Sequence, residues 1–142
     1  MKKLFVTGGC GYVGSLMIQS FLKDYTIKNI DTQWFGNKLE KNKNLTNLKE
    51  DIRNLSGDFI DKNTYAVVHL ANIANDPSVE LDQTLSWEVN VLAAKNLIEK
   101  SIKAGVKKFI YASSGSVYGV KNEMRVTEDL DLVPISAYNK TK

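Results

Sequence analysis

The residues best suited to chemistry lie at the two ends of the sequence. Tyr138 and Lys142 are four positions apart, a spacing that places two side chains on one face of a helix. An ammonium beside a phenol favours the ionised form of the phenol, so this pair could act as a base. Near the other end, the run GGCGYVG at residues 8–14 is a glycine-rich turn. Such a turn could hold a phosphate-containing ligand for that base to work on.

The spacing of the glycine-rich turn is typical of a dinucleotide site. Gly8, Gly11 and Gly14 follow an apolar run and precede a helical pattern. Glycines at these points let the backbone turn tightly and approach a pyrophosphate, whose charge is stabilised by N–H groups at a helix N-terminus. The alternative is a glycine-rich turn that only packs. The strand before the turn and the helix after it favour the dinucleotide site.

Asp31 supports the same interpretation. It ends the second predicted strand, about 20 residues beyond the turn, where a carboxylate accepts hydrogen bonds from both hydroxyls of an adenosine ribose. A negative charge there repels a 2′-phosphate, so the sequence favours NAD over NADP. The alternative for Asp31 is a turn residue at the end of a strand.

Apolar runs alternate with helical patterns along the chain and predict the elements that position these residues. The predicted strands are 3–7, 27–31, 45–49, 66–71 and 108–112. The predicted helices are 12–23, a long helical region from 76 to about 104 that stops at Gly105, and a last helix that opens at 137–138 with Ser136 as its cap.

This alternation predicts an α/β fold, in which helices cover both faces of a parallel sheet. Right-handed crossovers make a doubly wound sheet with strand order 3-2-1-4-5 the leading topology. The 142 residues have the size of one domain, 1–142. Only a loop and the start of a helix follow the fifth strand. We therefore expect a truncated fold that lacks a separate substrate domain.

The composition limits the classes of partner. The chain has 19 basic and 16 acidic residues and a net charge of +3. The charges form no basic stripe, so neither nucleic acid nor a membrane is expected as a partner. The first apolar run is too short for a signal peptide, which predicts a cytoplasmic protein. Cys10 is the only cysteine and His69 the only histidine, too few soft ligands for a metal site.

Six short motifs follow one another along the chain. They are VTGGCGYVG at 6–14, DIR at 51–53, HLA at 69–71, NV at 90–91, SSGSVYG at 113–119 and PxSxYxxTK at 134–142. In order and spacing they resemble the motifs of extended short-chain dehydrogenase/reductases, and within that group the NAD-dependent nucleotide-sugar epimerases and dehydratases. The resemblance covers the whole chain. It implies a Rossmann-like domain that binds NAD and, in complete members, a smaller C-terminal domain that binds the nucleotide-sugar.

The resemblance also implies a role for each matching residue. The catalytic residues would be Ser114, Tyr138 and Lys142, with Ser113 and Ser116 as rivals of Ser114. Tyr118 would belong to the loop after the fifth strand and would not be the base. The cofactor-binding residues would be Gly8, Gly11, Tyr12, Val13, Gly14, Asp31, Asp51, Ile52, Leu70, Ala71, Asn90, Tyr138 and Lys142.

Several of these roles are specific. Asp51 would accept a hydrogen bond from the adenine amino group, or would simply be a loop acid before Arg53. Asn90 would support the site through the backbone. Asn72 departs from the small apolar residue usual at its position, and His69 is expected to be structural.

The implied reaction is removal of a hydride from a sugar carbon. Tyr138 would take the proton of the sugar hydroxyl, Ser114 would hold the same oxygen, and the hydride would pass to NAD. A free tyrosine has a pKa of about 10, so a base working near neutrality needs the positive charge of Lys142 close by. On its own, this part of the enzyme is expected to be inactive.

Two alternatives stay open at this point. One is an extended short-chain dehydrogenase/reductase that acts on another small molecule, and the other is a nucleotide-binding module without turnover. The oligomeric state also stays open, and the pairing common among members of the family makes a homodimer one of the options.

Overall fold

The computed structural model describes residues 1–55 and 59–142. At its centre is a sheet of five strands, which are β1 (Lys2–Thr7), β2 (Tyr25–Asp31), β3 (Leu45–Lys49), β4 (Thr64–His69) and β5 (Lys108–Tyr111). All neighbouring strands are parallel, and their order is β3-β2-β1-β4-β5. The predicted α/β fold and strand order are confirmed.

The helices follow the strands in the chain. They are α1 (Tyr12–Phe21), α2 (Asp76–Leu81), α3 (Gln83–Trp87), α4 (Ala94–Lys103) and α5 (Ala137–Lys140). A π-helical segment, Glu88–Ala93, joins α3 to α4, and 3₁₀ turns occupy Ile52–Asn54 and Gly115–Tyr118. Within the described ranges, no helix has the length and apolar character needed to span a membrane. The same ranges hold no group of three His, Cys, Asp or Glu side chains that could bind a metal.

Both faces of the sheet are covered. Successive residues of β1 point to opposite sides, because side chains alternate along a strand. Phe5 packs into a cluster with Ile30, Val67 and residues of the α3–α4 region, namely Val89, Ala93 and Leu97. Leu4 and Val6 pack on the other side with Ile18 of α1 and with Ile27, Ala66 and Val68. The apolar runs of β1 and β4 are therefore strands buried on two sides.

The long helical region predicted from residue 76 to about 104 is wrong in one respect, because it breaks at Asp82. This residue has an extended backbone (φ −155°, ψ 93°), and its side chain accepts a hydrogen bond from the N–H of Leu85. A short acidic side chain is a strong N-cap. Asp82 therefore ends α2 and begins α3.

The C-terminal half of the predicted fourth strand also needs correction. The strand was expected to reach residue 71, but β4 ends at His69. The N–H of Leu70 donates to the carbonyl of Thr7 (3.0 Å), and that of Ala71 donates to the Thr7 hydroxyl (3.3 Å). Leu70 and Ala71 thus leave the ladder and lie against the end of β1, where the glycine-rich turn begins.

His69 is a structural residue. Its side chain is buried, and the ring Nδ1 shares a 2.6 Å hydrogen bond with the Thr7 hydroxyl. Burial, and secondly the positive charge of Lys142, lowers the pKa of His69 to about 4 from the usual 6.5. The folded protein therefore holds the His69 ring in its neutral form.

Acid is expected to destabilise the fold through His69. A pKa that is lower in the folded state means that the stabilisation is complete above about pH 6.5 and is lost as the pH falls towards 4. A pKa lowered from 6.5 to about 4 corresponds to about 3 kcal/mol. Urea unfolding at pH 7 and pH 4 should show this loss in the natural protein and a smaller loss in His69→Asn, whose amide can still meet Thr7. An equal loss of stability in the natural protein and in His69→Asn would show that His69 is not the source of the acid sensitivity.

Candidate functional site

The carboxyl ends of the five strands meet at one edge of the sheet, and a groove of about 390 Å³ runs along it. In a doubly wound sheet, this edge is where ligands bind. Most of the predicted cofactor-binding residues line the groove, namely Gly8, Gly11, Tyr12, Val13, Gly14, Asp31, Asp51, Ile52, Leu70 and Ala71. Asn90, Ser114, Tyr138 and Lys142 are not among the groove residues of the described chain.

At Gly8 and Gly14 the glycine-rich turn is packed too closely for a side chain. Gly8 has a φ of +75°, and a Cβ there would lie 2.5 Å from the backbone N of Ala71. A Cβ on Gly14 would lie 2.6 Å from the carbonyl oxygen of Gly8. Because no side chain fits at Gly8 or Gly14, the main chain itself forms this wall of the groove. A ligand can therefore approach the peptide N–H groups directly.

The start of α1 carries no competing group. Its N-cap is Gly11, which makes no side-chain cap, and its first turn has no acidic residue. The N–H of Ser15 donates to the Gly11 carbonyl (2.9 Å). The N–H groups of Tyr12 and Val13, which precede this first helical bond, have no partner within the helix. This arrangement suits an anion such as a pyrophosphate.

A buried amide holds the turn in place. Asn29 of β2 is fully buried, and its Oδ1 accepts a hydrogen bond from the N–H of Gly9 (2.9 Å). Its Nδ2 donates to Oδ1 of Asn47 (2.8 Å), which is its register partner on β3. The Cys10 thiol lies among these amides, and burial raises its pKa. Cys10 is thus a packing residue rather than a reactive thiol.

Asp31 joins the glycine-rich turn to the loop after β2. One carboxylate oxygen accepts a hydrogen bond from the N–H of Cys10 (2.9 Å), and the other accepts from the N–H of Gln33 (2.7 Å). Each oxygen retains a second lone pair. The fixed carboxylate can therefore still accept hydrogen bonds from two hydroxyls of a ligand in the groove.

Asp51 is held by Arg53. The Arg53 guanidinium bonds Asp51 (2.8 Å) and, through its other nitrogen, Glu88 (2.8 Å). The hydrogen bonds from the Arg53 side chain lower the pKa of Asp51. Asp51 is thus an ionised acceptor at the groove wall, and Arg53 ties that wall to the π-helical segment.

Asn90 lies behind the groove. Its side chain accepts from the N–H of Ile73 (2.8 Å), donates to the Ile73 carbonyl (3.1 Å) and donates to the Thr141 hydroxyl (3.0 Å). The π-helical segment places this amide, as π-bulges often do at functional sites. Asn90 thereby joins the loop after β4 to the end of α5.

Lys142 lies near the ring of Tyr138. The spacing predicts that the two share a helical face, and α5 covers Ala137–Lys140. The ammonium of Lys142 donates to the Ala112 carbonyl (2.7 Å) and lies 5.9 Å from the centroid of the Tyr138 ring. Burial lowers the pKa of Lys142 to about 8. At pH 7 the side chain is therefore mainly a cation, fixed beside the end of β5.

The three candidate serines lie in the loop after β5. Ser114 caps the 3₁₀ turn by accepting from the N–H of Ser116 (3.2 Å), and the two hydroxyls lie 2.7 Å apart. Ser113 is exposed and donates to the Lys142 carbonyl (3.4 Å). The 3₁₀ turn packs against α5. Ser114 and Ser116 thus share one hydrogen-bonded unit near the helix that carries Tyr138.

The groove also contains residues that the motifs did not identify. Trp34 and Phe35 line it from the loop after β2, and Asn72 lines it after β4. Oδ1 of Asn72 is buried and has no hydrogen-bond partner in the described chain. Two aromatic residues just after Asp31, in a loop otherwise rich in polar residues, were the available signal for the first two.

This parallel sheet, with its glycine-rich turn at the carboxyl edge and an acid at the end of β2, defines a Rossmann-like dinucleotide-binding domain. Residues 4–142 match the model of the NAD dependent epimerase/dehydratase family. The chain belongs to this family, whose members are enzymes that depend on NAD. The predicted resemblance is confirmed.

Three relatives illustrate the match. UDP-glucose 4-epimerase of Corynebacterium glutamicum is 31% identical over 146 residues, which cover 99% of this chain and 43% of that protein. The structure of UDP-N-acetylglucosamine 4-epimerase from Methanobrevibacter ruminantium, in complex with UDP-N-acetylmuramic acid, is 30% identical, has a TM-score of 0.92 and matches 99% of this chain and 46% of its own. The structure of Thermus thermophilus UDP-glucose 4-epimerase in complex with NAD is 28% identical and has a TM-score of 0.83. The match covers 99% of this chain and 47% of that one. The chain spans about half the length of the relatives it matches.

Proposed function

We propose that this chain forms the NAD-binding part of a nucleotide-sugar epimerase or dehydratase. The observation that carries the proposal is the groove in which a bare glycine-rich turn and the fixed carboxylate of Asp31 lie together. The turn suits a pyrophosphate, and the carboxylate suits the hydroxyls of a ribose. The family match and relatives that act on UDP-sugars support the nucleotide-sugar as the substrate.

The residues in the groove fit the adenosine diphosphate part of NAD. Tyr12 and Val13 would donate their N–H groups to the pyrophosphate, Asp31 would hold the ribose, and Asp51 and Ile52 would contact the adenine. When bound, NAD supplies an acceptor for a hydride from the sugar carbon.

Tyr138 is proposed to remove the proton from the reacting hydroxyl of the sugar. Ser114 would hold the same oxygen by a hydrogen bond, with Ser116 bonded to it (2.7 Å). The Lys142 ammonium, fixed by the Ala112 carbonyl (2.7 Å), would supply positive charge near the tyrosine. Homodimer formation and a cytoplasmic location are further parts of the proposal.

The test uses the full-length gene product. We expect that UDP-glucose, UDP-N-acetylglucosamine or dTDP-glucose, incubated with the protein and NAD, changes configuration or loses water, as followed by NMR of the sugar protons. If NAD binds but no nucleotide-sugar is turned over, the sugar assignment is wrong and the reductase alternative takes its place.

Asp31 is expected to decide between NAD and NADP. Because the carboxylate is negative and fixed, a 2′-phosphate beside it is repelled, and NADP should bind at least about tenfold more weakly than NAD. Asp31→Asn removes the charge at nearly constant size and should reduce this difference to about twofold. Calorimetric titration of both cofactors measures the two ratios.

Asp24→Asn is the matched control, since Asp24 is exposed after α1 and lies outside the groove. It removes the same charge and should leave the preference for NAD unchanged. Tighter binding of NADP than NAD by the natural protein would exclude this role for Asp31.

A further inference from the structure

Two large aromatic side chains are exposed at the rim of the groove. Trp34 is 57% exposed and Phe35 is 93% exposed, and both line the groove. Exposed aromatic residues that border a concave site often contact a ligand there, because burying them against an apolar surface is favourable. Trp34 differs from its neighbour because a larger part of its surface is already covered.

The loop presents Trp34 in a fixed turn directly after Asp31. Oδ1 of Asp31 accepts from the N–H of Gln33 (2.7 Å), and the N–H of Gly36 donates to the Gln33 carbonyl (3.0 Å). Trp34 and Phe35 are the two central residues of this turn. The carboxylate that suits the ribose therefore also anchors the turn that carries the indole.

The other wall of this part of the groove is aliphatic. It includes Ile52 of the 3₁₀ turn after β3 and Val89 of the π-helical segment, both buried residues. Asp51 lies next to Ile52, as an ionised acceptor held by Arg53. The groove thus combines an aromatic side, an aliphatic side and an acceptor at its edge. A purine, with two apolar faces and an amino group on its edge, matches this combination.

We propose that the Trp34 indole stacks on the adenine ring of NAD and supplies a large part of the affinity of this groove for the nucleotide. The proposal rests on the proposed function, because it takes NAD as the ligand. The adenine is joined to the ribose that Asp31 holds, so it lies within reach of a residue three positions further along the chain. Stacking on an aromatic side chain strengthens the binding of a base about tenfold.

The test measures binding of NAD and of ADP by calorimetry, with no need for turnover. Trp34→Ala should weaken binding of both ligands about tenfold, and Trp34→Phe should restore most of it. Trp87→Ala is the matched control, since it removes the other tryptophan of the sequence, which is 44% exposed on α3 and lies outside the groove, and it should change either Kd by less than about twofold. Circular dichroism checks that the variants are folded.

Fluorescence gives a second readout. ADP should quench tryptophan emission in the natural protein and in Trp87→Ala, and this quenching should be lost in Trp34→Phe. Unchanged Kd values in Trp34→Ala, or retained quenching in Trp34→Phe, would overturn the stacking proposal while leaving NAD binding intact. A folded natural protein that binds neither NAD nor ADP would overturn the proposed function and this inference together.

Discussion

Tyr138→Phe is expected to reduce turnover of the full-length gene product by about a thousandfold, since general acid–base catalysis contributes about 10² to 10⁴. The substitution removes one hydroxyl from a half-buried side chain on α5 and keeps the ring. The groove that we assign to the adenosine half of NAD does not include Tyr138. The Kd for NAD should therefore change by less than about twofold, as measured by calorimetry beside the turnover assay.

Tyr118→Phe provides the control for this prediction. Tyr118 is also half-buried and belongs to the 3₁₀ turn after β5. The family motif places it in the loop, so its hydroxyl should be dispensable. Retained turnover in Tyr138→Phe would exclude Tyr138 as the base, and loss of turnover in Tyr118→Phe alone would transfer that role to Tyr118.

Much of the fold could be predicted because its signals are local. The strands are short apolar runs, and two helix boundaries depend on single residues. Gly105, with a φ of +72°, ends α4, and the Ser136 side chain caps α5 by accepting from the N–H of Asn139 (3.2 Å). Each of these residues prefers its position for reasons within its own segment.

The error in the long helical region arises where two local signals compete. At Asp82, the expectation of one long helix competes with the capping preference of a short acid, and the cap prevails. Periodicity alone contains no information on this outcome.

The support of the site depends on contacts between distant parts of the chain. Asn29 reaches the glycine-rich turn, and its pairing with Asn47 follows from the register of β2 with β3. Asn90 bonds Ile73 and Thr141 across the edge of the sheet. A single sequence shows neither the strand register nor the packing of a helix over a sheet. The motif could therefore locate Asn90 but not its partners, and no motif located Asn29.

The glycine-rich turn should be the position least tolerant of substitution. Gly8→Ala combines two costs, which are a positive φ of +75° and a Cβ placed 2.5 Å from the backbone of Ala71. The first costs about 1 to 2 kcal/mol for a residue with a Cβ, and the second adds about 1 to 3 kcal/mol of overpacking. Urea unfolding should show a loss of about 3.5 kcal/mol, taking the middle of both ranges. Because the backbones of Gly8 and Ala71 both line the groove, NAD binding should be lost in the fraction that stays folded.

Substitutions at two other glycines test the cost of the positive φ and the cost of the close contact separately. Gly105 has a similar φ of +72° with nothing within 4 Å of the added Cβ, so Gly105→Ala should lose only about 1 kcal/mol and bind NAD normally. A Cβ on Gly14 would lie 2.6 Å from the Gly8 carbonyl oxygen without the positive φ, so Gly14→Ala tests the close packing by itself. If Gly8→Ala proved no more costly than Gly105→Ala, the contact with Ala71 would be loose. The glycine-rich turn could then no longer be assigned as the wall against which the pyrophosphate is proposed to bind.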